Sequence, residues 1–351
     1  MVVEPPVAPM LGRLARELPV DGFSYEPKWD GFRCVAFRSA HAVDLRSRND
    51  RPLARYFPEL VDALLELPAE AVLDGEIVVP AAHGFDFSAL LARLHPAASR
   101  VQRLRLKTPA RYIAFDLLAL GEDDLRERPF VERRAALEDL LSEAPAPLHL
   151  TAATDDPAIA RSWLERYQGG GIDGVVAKAQ DTRYQPGVRA MVKVKHEQTA
   201  DCVVAGCRLF VDRPEISSLL LGLYDDAGDL RHVGVASGFS AARRRELPEV
   251  LGPHRTDLAG HPWERGFLLA GSPIGRLAGA AGRWSPEEMT LDWIPLAPRL
   301  VAEVAYDHVD ADRFRHAARF RRWRPDRDPR SCRLEQLELP FHDPAEVLTA
   351  R

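Results

Sequence analysis

Near residues 197–200 the pattern of apolar residues changes, and this change constrains the fold more than any other feature. Before it, segments with helical spacing alternate with segments typical of strands; after it, short strand-like segments surround one helical segment. At 351 residues the chain is longer than a typical single domain. We therefore predict two domains, formed by residues 1–198 and residues 199–351.

The first domain mixes helices and strands, which predicts an α+β fold. Its predicted strands are residues 31–38, 42–46, 72–79, 112–120, 172–178 and 190–195. Its predicted helices are residues 53–67, 87–94, 129–141 and 157–167. Residues 1–20 are rich in proline, and we expect them to lie across the surface.

The second domain is predicted to be a small β-barrel. Its predicted strands are residues 203–210, 217–224, 230–236 and 300–306, and its one clear helix is residues 240–250. Several short strands around a single helix are typical of the OB-fold.

Charge is distributed unevenly along the chain. The net charge is −5, yet residues 313–333 contain nine arginines against two aspartates, and residues 93–111 contain six basic residues and no acid. Local basic patches on an acidic body favour a polyanion held in one groove. Two solvated arginine-rich stretches are the alternative interpretation.

The remaining bulk features point to an intracellular protein. The four cysteines are Cys34, Cys202, Cys207 and Cys332, and their spacing matches no zinc pattern. We expect them to be buried thiols in a reducing compartment. We find neither a signal-peptide layout nor an apolar run of membrane-spanning length, so we expect a soluble, cytoplasmic protein.

One short motif carries a reactive amine. Lys28-Trp29-Asp30-Gly31 is a lysine-x-aspartate-glycine tetrad, in which the lysine could attack a nucleotide α-phosphate and carry the nucleotide as a phosphoramidate. Taken alone, the tetrad is a weak signal, because four residues recur by chance and a lone lysine is usually a solvated surface charge.

Further polar segments lie at predicted strands. Asp74-Gly75-Glu76 offers carboxylates that can hold ribose hydroxyls, and Phe115 can stack on a purine, although a polar strand end and a core phenylalanine are the alternatives. Asp173 starts a strand, where it could help to hold Mg²⁺ or simply form a turn.

Two further segments offer cations for phosphate. Lys193 and Lys195 alternate in a strand and so share a face, which favours a phosphate between them; an exposed strand face is the alternative. Arg324-Pro325-Asp326-Arg327 adds guanidinium groups, whose geometry matches phosphate oxygens.

Read in order, these segments resemble the motifs of the covalent nucleotidyltransferases, which include ATP-dependent DNA ligases, RNA ligases and mRNA capping enzymes. The resemblance covers essentially the whole chain, and Ser47-Arg48-Asn49 is similar to a further, arginine-bearing motif. It is strongest to the compact bacterial ligases of the ligase C type, through Pro5-Pro6-Val7-Ala8-Pro9-Met10-Leu11, Met191-Val192-Lys193-Val194-Lys195-His196 and residues 320–327. Two positions depart from the family pattern: Asp173 replaces the usual glutamate and Arg327 a frequent lysine, and both keep the charge.

The resemblance implies an adenylation (nucleotidyltransferase) domain followed by the OB-fold domain, and a DNA ligase reaction in three steps. Lys28 attacks the ATP α-phosphate, AMP moves to the 5′-phosphate of a nick, and the 3′-hydroxyl displaces AMP. The implied catalytic residues are Lys28, Lys193, Lys195, Arg324 and Asp326. The implied nucleotide- or phosphate-binding residues are Glu26, Arg33, Arg48, Glu76, Phe115, Arg189 and Lys195. The implied Mg²⁺-supporting residues are Asp30 and Asp173, and Mn²⁺ could substitute for the metal.

The resemblance also implies partners. Nicked double-stranded DNA is the expected substrate, bound largely through phosphates, and a repair polymerase or DNA end-binding protein is a possible partner of a nucleoid-associated monomer. Because only 27 residues precede Lys28, we expect neither a large N-terminal DNA-binding domain nor a nicotinamide-reading domain, so the expected cofactor is ATP. An RNA ligase, a GTP-using capping enzyme and a catalytically silent nick-binding module remain the alternatives.

Overall fold

The structure is a computed structural model. It describes residues 2–264 except 83, 96, 145, 168–170, 196 and 211–212, and residues 293–349 except 308, 311, 339–341 and 345. The chain divides into two compact units, Met1–His196 with Pro340–Arg351, and Glu197–Leu339. The division lies within two residues of the predicted boundary, but the sequence placed the C-terminal residues in the second domain.

The first unit contains two main sheets with helices packed on them. Its strands are β1 (Gly12–Ala15), β2 (Phe23–Trp29), β3 (Phe32–Arg38), β4 (Val43–Ser47), β5 (Ala71–Val78), β6 (Pro80–Ala81), β7 (Gly84–Phe85), β8 (Arg111–Leu120), β9 (Asp123–Asp124), β10 (Leu148–Leu150), β11 (Ile172–Ala179) and β12 (Met191–Val194). Its helices are α1 (Pro58–Leu65), α2 (Phe87–Arg93), α3 (Ala98–Lys107), α4 (Phe130–Leu140) and α5 (Pro157–Arg166). One sheet has the order β1-β12-β11-β2 and the other β10-β8-β5-β3-β4, with β9 added to β8.

The predicted helix over residues 53–67 is interrupted. A 3₁₀ turn occupies Ala54–Tyr56, and α1 begins only at Pro58. Proline has no N–H to continue a helix from the preceding turn, but it suits the first helical position. The apolar stripe is kept across the break, because Phe57, Leu60 and Leu64 are all wholly buried.

Most of residues 2–20 are exposed or half-buried, as expected, but some of them also take part in a sheet and a core. β1 pairs in parallel with β12, and Met10 and Val3 are buried in a cluster with Val35 and Tyr184. The first residues therefore complete a sheet and a core.

Strand β2 and helix α3 are among the other elements that were not predicted. β2 contains Pro27, a residue that argues against a strand, yet this strand carries Lys28. α3 lies in the basic stretch of residues 93–111, which has few apolar residues to show a helical period. Arg93 from that stretch is wholly buried and pairs with Glu59 over 2.6 Å, so it is not part of a solvated basic patch.

The second unit is built around a closed barrel with the strand order β13-β14-β15-β19-β16. Its strands are β13 (Gln198–Leu209), β14 (Ile216–Tyr224), β15 (Leu230–Ser237), β16 (Ile294–Tyr306), β17 (Val309–Asp310), β18 (Arg313–Phe314) and β19 (Ala318–Trp323), and its helix is α6 (Ala241–Leu251). The prediction of an α+β domain followed by a small β-barrel is confirmed. The fifth barrel strand, β19, escaped prediction because three of its six residues are arginines.

The chain ends on the first unit. Helix α7 (Glu346–Thr349) places Val347 in the cluster that contains Trp163, and Glu346 accepts a hydrogen bond from the Tyr167 hydroxyl over 3.0 Å. The four cysteines are free and buried, as predicted. Among the described residues, no helix is long and apolar enough to cross a membrane.

Candidate active site

A cavity of about 340 Å³ in the first unit is lined by residues from both main sheets. Eight of the predicted site residues line it: Glu26, Lys28, Arg33, Arg48, Glu76, Phe115, Arg189 and Lys193. The fold therefore collects at one place side chains that are separated by up to 167 residues of sequence.

The lysine of the tetrad is held by an aspartate across the sheet. Lys28 lies on β2, and its Nζ donates to Asp173 Oδ2 over 2.6 Å. Lys195 Nζ lies 2.5 Å from the same oxygen. The carboxylate of Asp173 is almost fully buried, so it joins the two ammonium groups in a shielded environment.

A bulge directs Asp173 toward Lys28. The pairing of β2 with β11 shifts register between Ile172 and Val175. Within that bulge Gly174 has φ +142°, and a Cβ there would lie 2.2 Å from the Val194 carbonyl oxygen. Only glycine fits this position, and the bulge re-aims the preceding side chain.

The glycine of the tetrad has a similar steric reason. A Cβ on Gly31 would lie 2.2 Å from the backbone oxygen of Ile77 on β5. The close approach lets the Gly31 N–H donate to Glu76 Oε1 over 3.2 Å. Burial raises the pKa of Glu76 to about 7, although Arg33 and Lys28 act in the opposite direction.

Three cations line the cavity without a partner among the residues that the structure describes. Within the described parts of the chain, the side chains of Arg48, Arg189 and Lys193 form no hydrogen bond or ion pair. Burial lowers the pKa of Lys193, and the positive charges of Lys28, Lys195 and Arg48 lower it further. Positive charge is therefore concentrated where an anion would be stabilised.

Arg33 has a different environment. Its guanidinium forms a two-point ion pair with Asp74, with both distances 2.6 Å, and lies 4.4 Å from the centre of the Phe115 ring. Tyr184 Oη donates to the same carboxylate over 2.6 Å. Asp74 and Tyr184 therefore fix Arg33, and Arg33 supports the aromatic ring predicted to stack on a purine.

A buried ion pair lies at one wall of the cavity. Glu26 is 3% exposed, and its Oε2 lies 2.8 Å from the Nζ of Lys178, which also donates to the Phe115 carbonyl oxygen over 2.6 Å. Glu26 Oε1 accepts no hydrogen bond from the described residues, and Arg134 Nη1 lies 3.5 Å from it. Burial raises the pKa of Glu26, while Lys178 and Arg134 oppose this rise.

The donor set for a metal is small. Among the described residues no group of three or more His, Cys, Asp and Glu side chains could hold a metal ion. Asp173 contributes one carboxylate to the site, and the Asp30 backbone N–H donates to the Gly171 carbonyl oxygen over 2.9 Å. One or two carboxylates with substrate phosphates and waters are the usual environment of Mg²⁺, so the residues fit this ion.

Two predicted catalytic residues belong to the second unit. Arg324 Nη1 lies 2.9 Å from both carboxylate oxygens of Asp201, and Arg324 Nη2 lies 2.9 Å from Asp326 Oδ2. Hydrogen bonding by Arg324 lowers the pKa of Asp326 to about 2. Many arginines of residues 313–333 also form ion pairs. Arg322 Nη2, for example, lies 2.7 Å from Glu303 Oε2.

The structure places here several residues that had no separate role in the sequence-based prediction. Lys178 and Val176 share a face of β11 and line the cavity together. Lys178 ends the segment Asp173-Gly174-Val175-Val176-Ala177-Lys178. Its two-residue spacing from Val176 could have indicated that the two side chains share a face of the strand. Tyr184 and Arg134 act behind the lining residues, where sequence gives no signal. Asp74 was expected to offer a carboxylate to ribose hydroxyls, but it is wholly buried and instead accepts from Arg33 and Tyr184.

Two family models match most of the chain. Residues 9–195 match the ATP dependent DNA ligase domain, and residues 212–327 match the ATP dependent DNA ligase C terminal region. The chain is 53% identical to DNA ligase C2 of Mycolicibacterium smegmatis over 343 residues, which cover 97% of this chain and 96% of that protein. It is 51% identical to DNA ligase C of Mycobacterium tuberculosis over 345 residues, with the same two coverages of 97% and 96%.

The fold is also similar to that of a structure from a study of Lig E DNA ligases. The TM-score is 0.54 with 18% sequence identity, over 90% of this chain and 99% of that chain. The predicted architecture, an adenylation domain followed by a C-terminal domain, and the predicted resemblance to ligase C are confirmed. This chain belongs to the ATP-dependent DNA ligases.

Proposed function

We propose that this ligase seals nicks with 5′-phosphate and 3′-hydroxyl ends in double-stranded DNA through an AMP bound covalently to Lys28. The observation that carries the proposal is the environment of Lys28 Nζ, which lies in the cavity 2.6 Å from Asp173. Lys195 shares Asp173 with it, and Lys193, which lines the same cavity, lies within the electrostatic influence of Lys28, Lys195 and Arg48.

In the first step the Lys28 amine attacks the α-phosphorus of ATP. The new N–P bond replaces the P–O bond to pyrophosphate, which leaves with its electron pair. The amine must lose a proton to react, and Asp173 Oδ2 already accepts a hydrogen bond from it. Lys193 and Lys195 stabilise the charge that develops on the phosphate oxygens.

The nucleotide is held by residues from both sheets. Phe115 supports the adenine face, Glu26 receives the exocyclic amine at the adenine edge, and Glu76 accepts from the ribose hydroxyls. Arg48 and Arg189 bind nucleotide or nick phosphates, since neither has a partner among the described residues. We assign Arg33 to fixing Phe115, because Asp74 already occupies its guanidinium.

Mg²⁺ would be held by Asp173 and Asp30, directly or through water, together with nucleotide phosphates, and Mn²⁺ could replace it. When bound, the ion neutralises phosphate charge. Arg324 and Asp326 orient the pyrophosphate during the first step.

The later steps use the same cations. AMP is transferred to the 5′-phosphate of the nick, and the 3′-hydroxyl oxygen then attacks that phosphorus and releases AMP. We propose that the enzyme works as a monomer in DNA repair at the nucleoid, with a repair polymerase or DNA end-binding protein delivering the break. Family membership and the two DNA ligase C relatives support the ligation chemistry, on which this wider role depends.

The test is sealing of matched substrates. Duplexes with a single nick in all-DNA or all-RNA strands are incubated with ATP or GTP and Mg²⁺, and the joined strand is measured on a denaturing gel. We expect joining of the DNA nick with ATP. Efficient joining of only the RNA nick, or only with GTP, would contradict the proposal.

A further inference from the structure

The barrel of the second unit buries an arginine that has no counter-ion. Arg208 lies on β13 with no exposed surface, and its Nε, Nη1 and Nη2 have no hydrogen-bond partner within the described residues. Its guanidinium also forms no ion pair with any residue that the structure describes. This side chain is outside the set that we assign to ligation.

A buried hydroxyl shares the environment of Arg208. Ser218 on β14 lies directly opposite Arg208 in the antiparallel ladder, which places the two side chains on the same face of the sheet. Ser218 has no exposed surface, and its Oγ has no hydrogen-bond partner among the described residues. A second donor without an acceptor therefore lies beside the first.

A second guanidinium, that of Arg313, lies on the hairpin of β17 and β18. Arg313 Nη2 lies 3.4 Å from His232 Nδ1, and Arg313 Nε is buried without a partner in the described part of the chain. Burial, followed by the charges of Arg313 and Arg208, lowers the pKa of His232 to about 3. A second guanidinium with an unsatisfied nitrogen therefore lies in the same unit, beside a neutral imidazole.

Burying a cation without a counter-charge is strongly unfavourable, and buried polar groups in folded proteins almost always have partners. A guanidinium presents a planar fork of donors that matches the oxygens of phosphate or sulfate. We propose that Arg208 and Ser218 form a buried binding site for a small tetrahedral oxyanion of the phosphate class.

Because Arg208 is wholly buried, its guanidinium can bind only a small ligand. A phosphodiester of DNA carries two bulky substituents and does not reach a wholly buried fork, whereas a free inorganic anion enters during folding or local opening. The site is a structural anion site of the barrel, and its existence does not depend on the proposed ligation mechanism.

The test is thermal unfolding of the full chain at increasing inorganic phosphate, with sodium chloride added to keep ionic strength constant. A ligand that binds only the folded state raises Tm with its concentration, whereas exclusion of phosphate from the protein surface stabilises all variants alike. The matched variants are Arg208→Met in the site and Arg245→Met, an exposed arginine on α6.

We expect wild type and Arg245→Met to show the same phosphate-dependent rise in Tm, and Arg208→Met to show a clearly smaller one. Equal phosphate responses in all three proteins overturn the proposal, as does a wild type that does not respond. If Arg208→Met does not fold, Ser218→Ala and Arg208→Lys replace it. In each variant, the phosphate concentration that produces half of the maximal Tm shift should rise several-fold. If this concentration is unchanged in both variants, the proposal is overturned.

Discussion

Lys28 Nζ lies 2.6 Å from Asp173 Oδ2, and Lys195 Nζ contacts the same oxygen over 2.5 Å. One carboxylate therefore orients the proposed nucleophile and a proposed phosphate-binding lysine together. Family resemblance puts a glutamate at this position, and aspartate is one methylene shorter. The bulge at Gly174 supplies the local geometry that brings the shorter side chain to Lys28.

Asp173→Asn should slow formation of the enzyme–AMP adduct by about 100-fold, because the amide keeps the shape but loses the charge that positions two lysines. The initial rate of labelling with α-³²P ATP measures this. Asp173→Glu is the matched control, and it should keep substantial activity. An Asp173→Asn enzyme that labels at the wild-type rate would show that the carboxylate is dispensable.

Lys178→Met should weaken selection of ATP. Removing one partner of a buried ion pair is unfavourable by about 3–5 kcal/mol, because the other charge stays buried without a partner. Glu26 would avoid this state by taking up a proton or by moving. Either change removes the acceptor proposed for the adenine amine. The KM for ATP should rise at least about tenfold, and the preference for ATP over GTP should fall.

The role of Lys178 can be separated from general destabilisation by a double-mutant cycle with Glu26→Gln. Because the two residues act as one pair, the double variant should be much less impaired than the sum of the single changes. Additive losses in KM would contradict the assignment of Lys178 as a positioning residue for Glu26.

Glu76 should make stability depend on pH. Burial raises its pKa in the folded protein to about 7, from a usual value of 4.5, so the folded state binds more protons than the unfolded state between these values. The contribution of Glu76 to the free energy of unfolding therefore falls as the pH rises from about 4.5 to about 7, and it is lowest above that range.

Urea unfolding at about pH 5 and about pH 8 checks this prediction. Glu76→Gln should be more stable than wild type at the higher pH, and the difference should shrink at the lower pH. A difference that is constant across the two pH values would show that Glu76 is ionised in both.

Arg324→Ala should impair the first step selectively. Arg324 pairs with Asp201 and Asp326 in the second unit, and we propose that it orients pyrophosphate only during adenylylation. AMP adduct formation should fall by about 100-fold, whereas sealing of a nick that already carries AMP should change by no more than about twofold. Arg322→Ala, which removes an exposed pair with Glu303, is the control. Equal losses in both reactions would refute this assignment.

Much of this architecture follows from the sequence. Strands with continuous apolar residues, such as β5 and β8, and helices with a clear stripe were predicted with boundaries close to those observed. β1, β2 and β19 were missed because proline or arginine interrupts the alternation on which such predictions depend. These segments form strands because they pair with a neighbouring strand, and that pairing is not visible in the sequence.

The site shows the same limit. Short motifs predicted roles for Lys28, Glu76, Phe115 and Lys193, and the structure brings these four residues to one cavity. The Lys178–Glu26 pair and the Asp74–Arg33–Phe115 arrangement depend on the meeting of two sheets. Such contacts join residues far apart in sequence, so a single sequence does not reveal them.

The central claim is that Lys28 carries AMP covalently. Wild type and Lys28→Arg, which keeps the positive charge, are first treated with pyrophosphate to remove bound AMP and then incubated with Mg²⁺ and α-³²P-labelled ATP, GTP or NAD⁺. Label that survives a denaturing gel should appear with wild type and ATP only, and mass spectrometry should place it on Lys28. Equal labelling of Lys28→Arg, or labelling from GTP or NAD⁺ instead of ATP, would contradict the account.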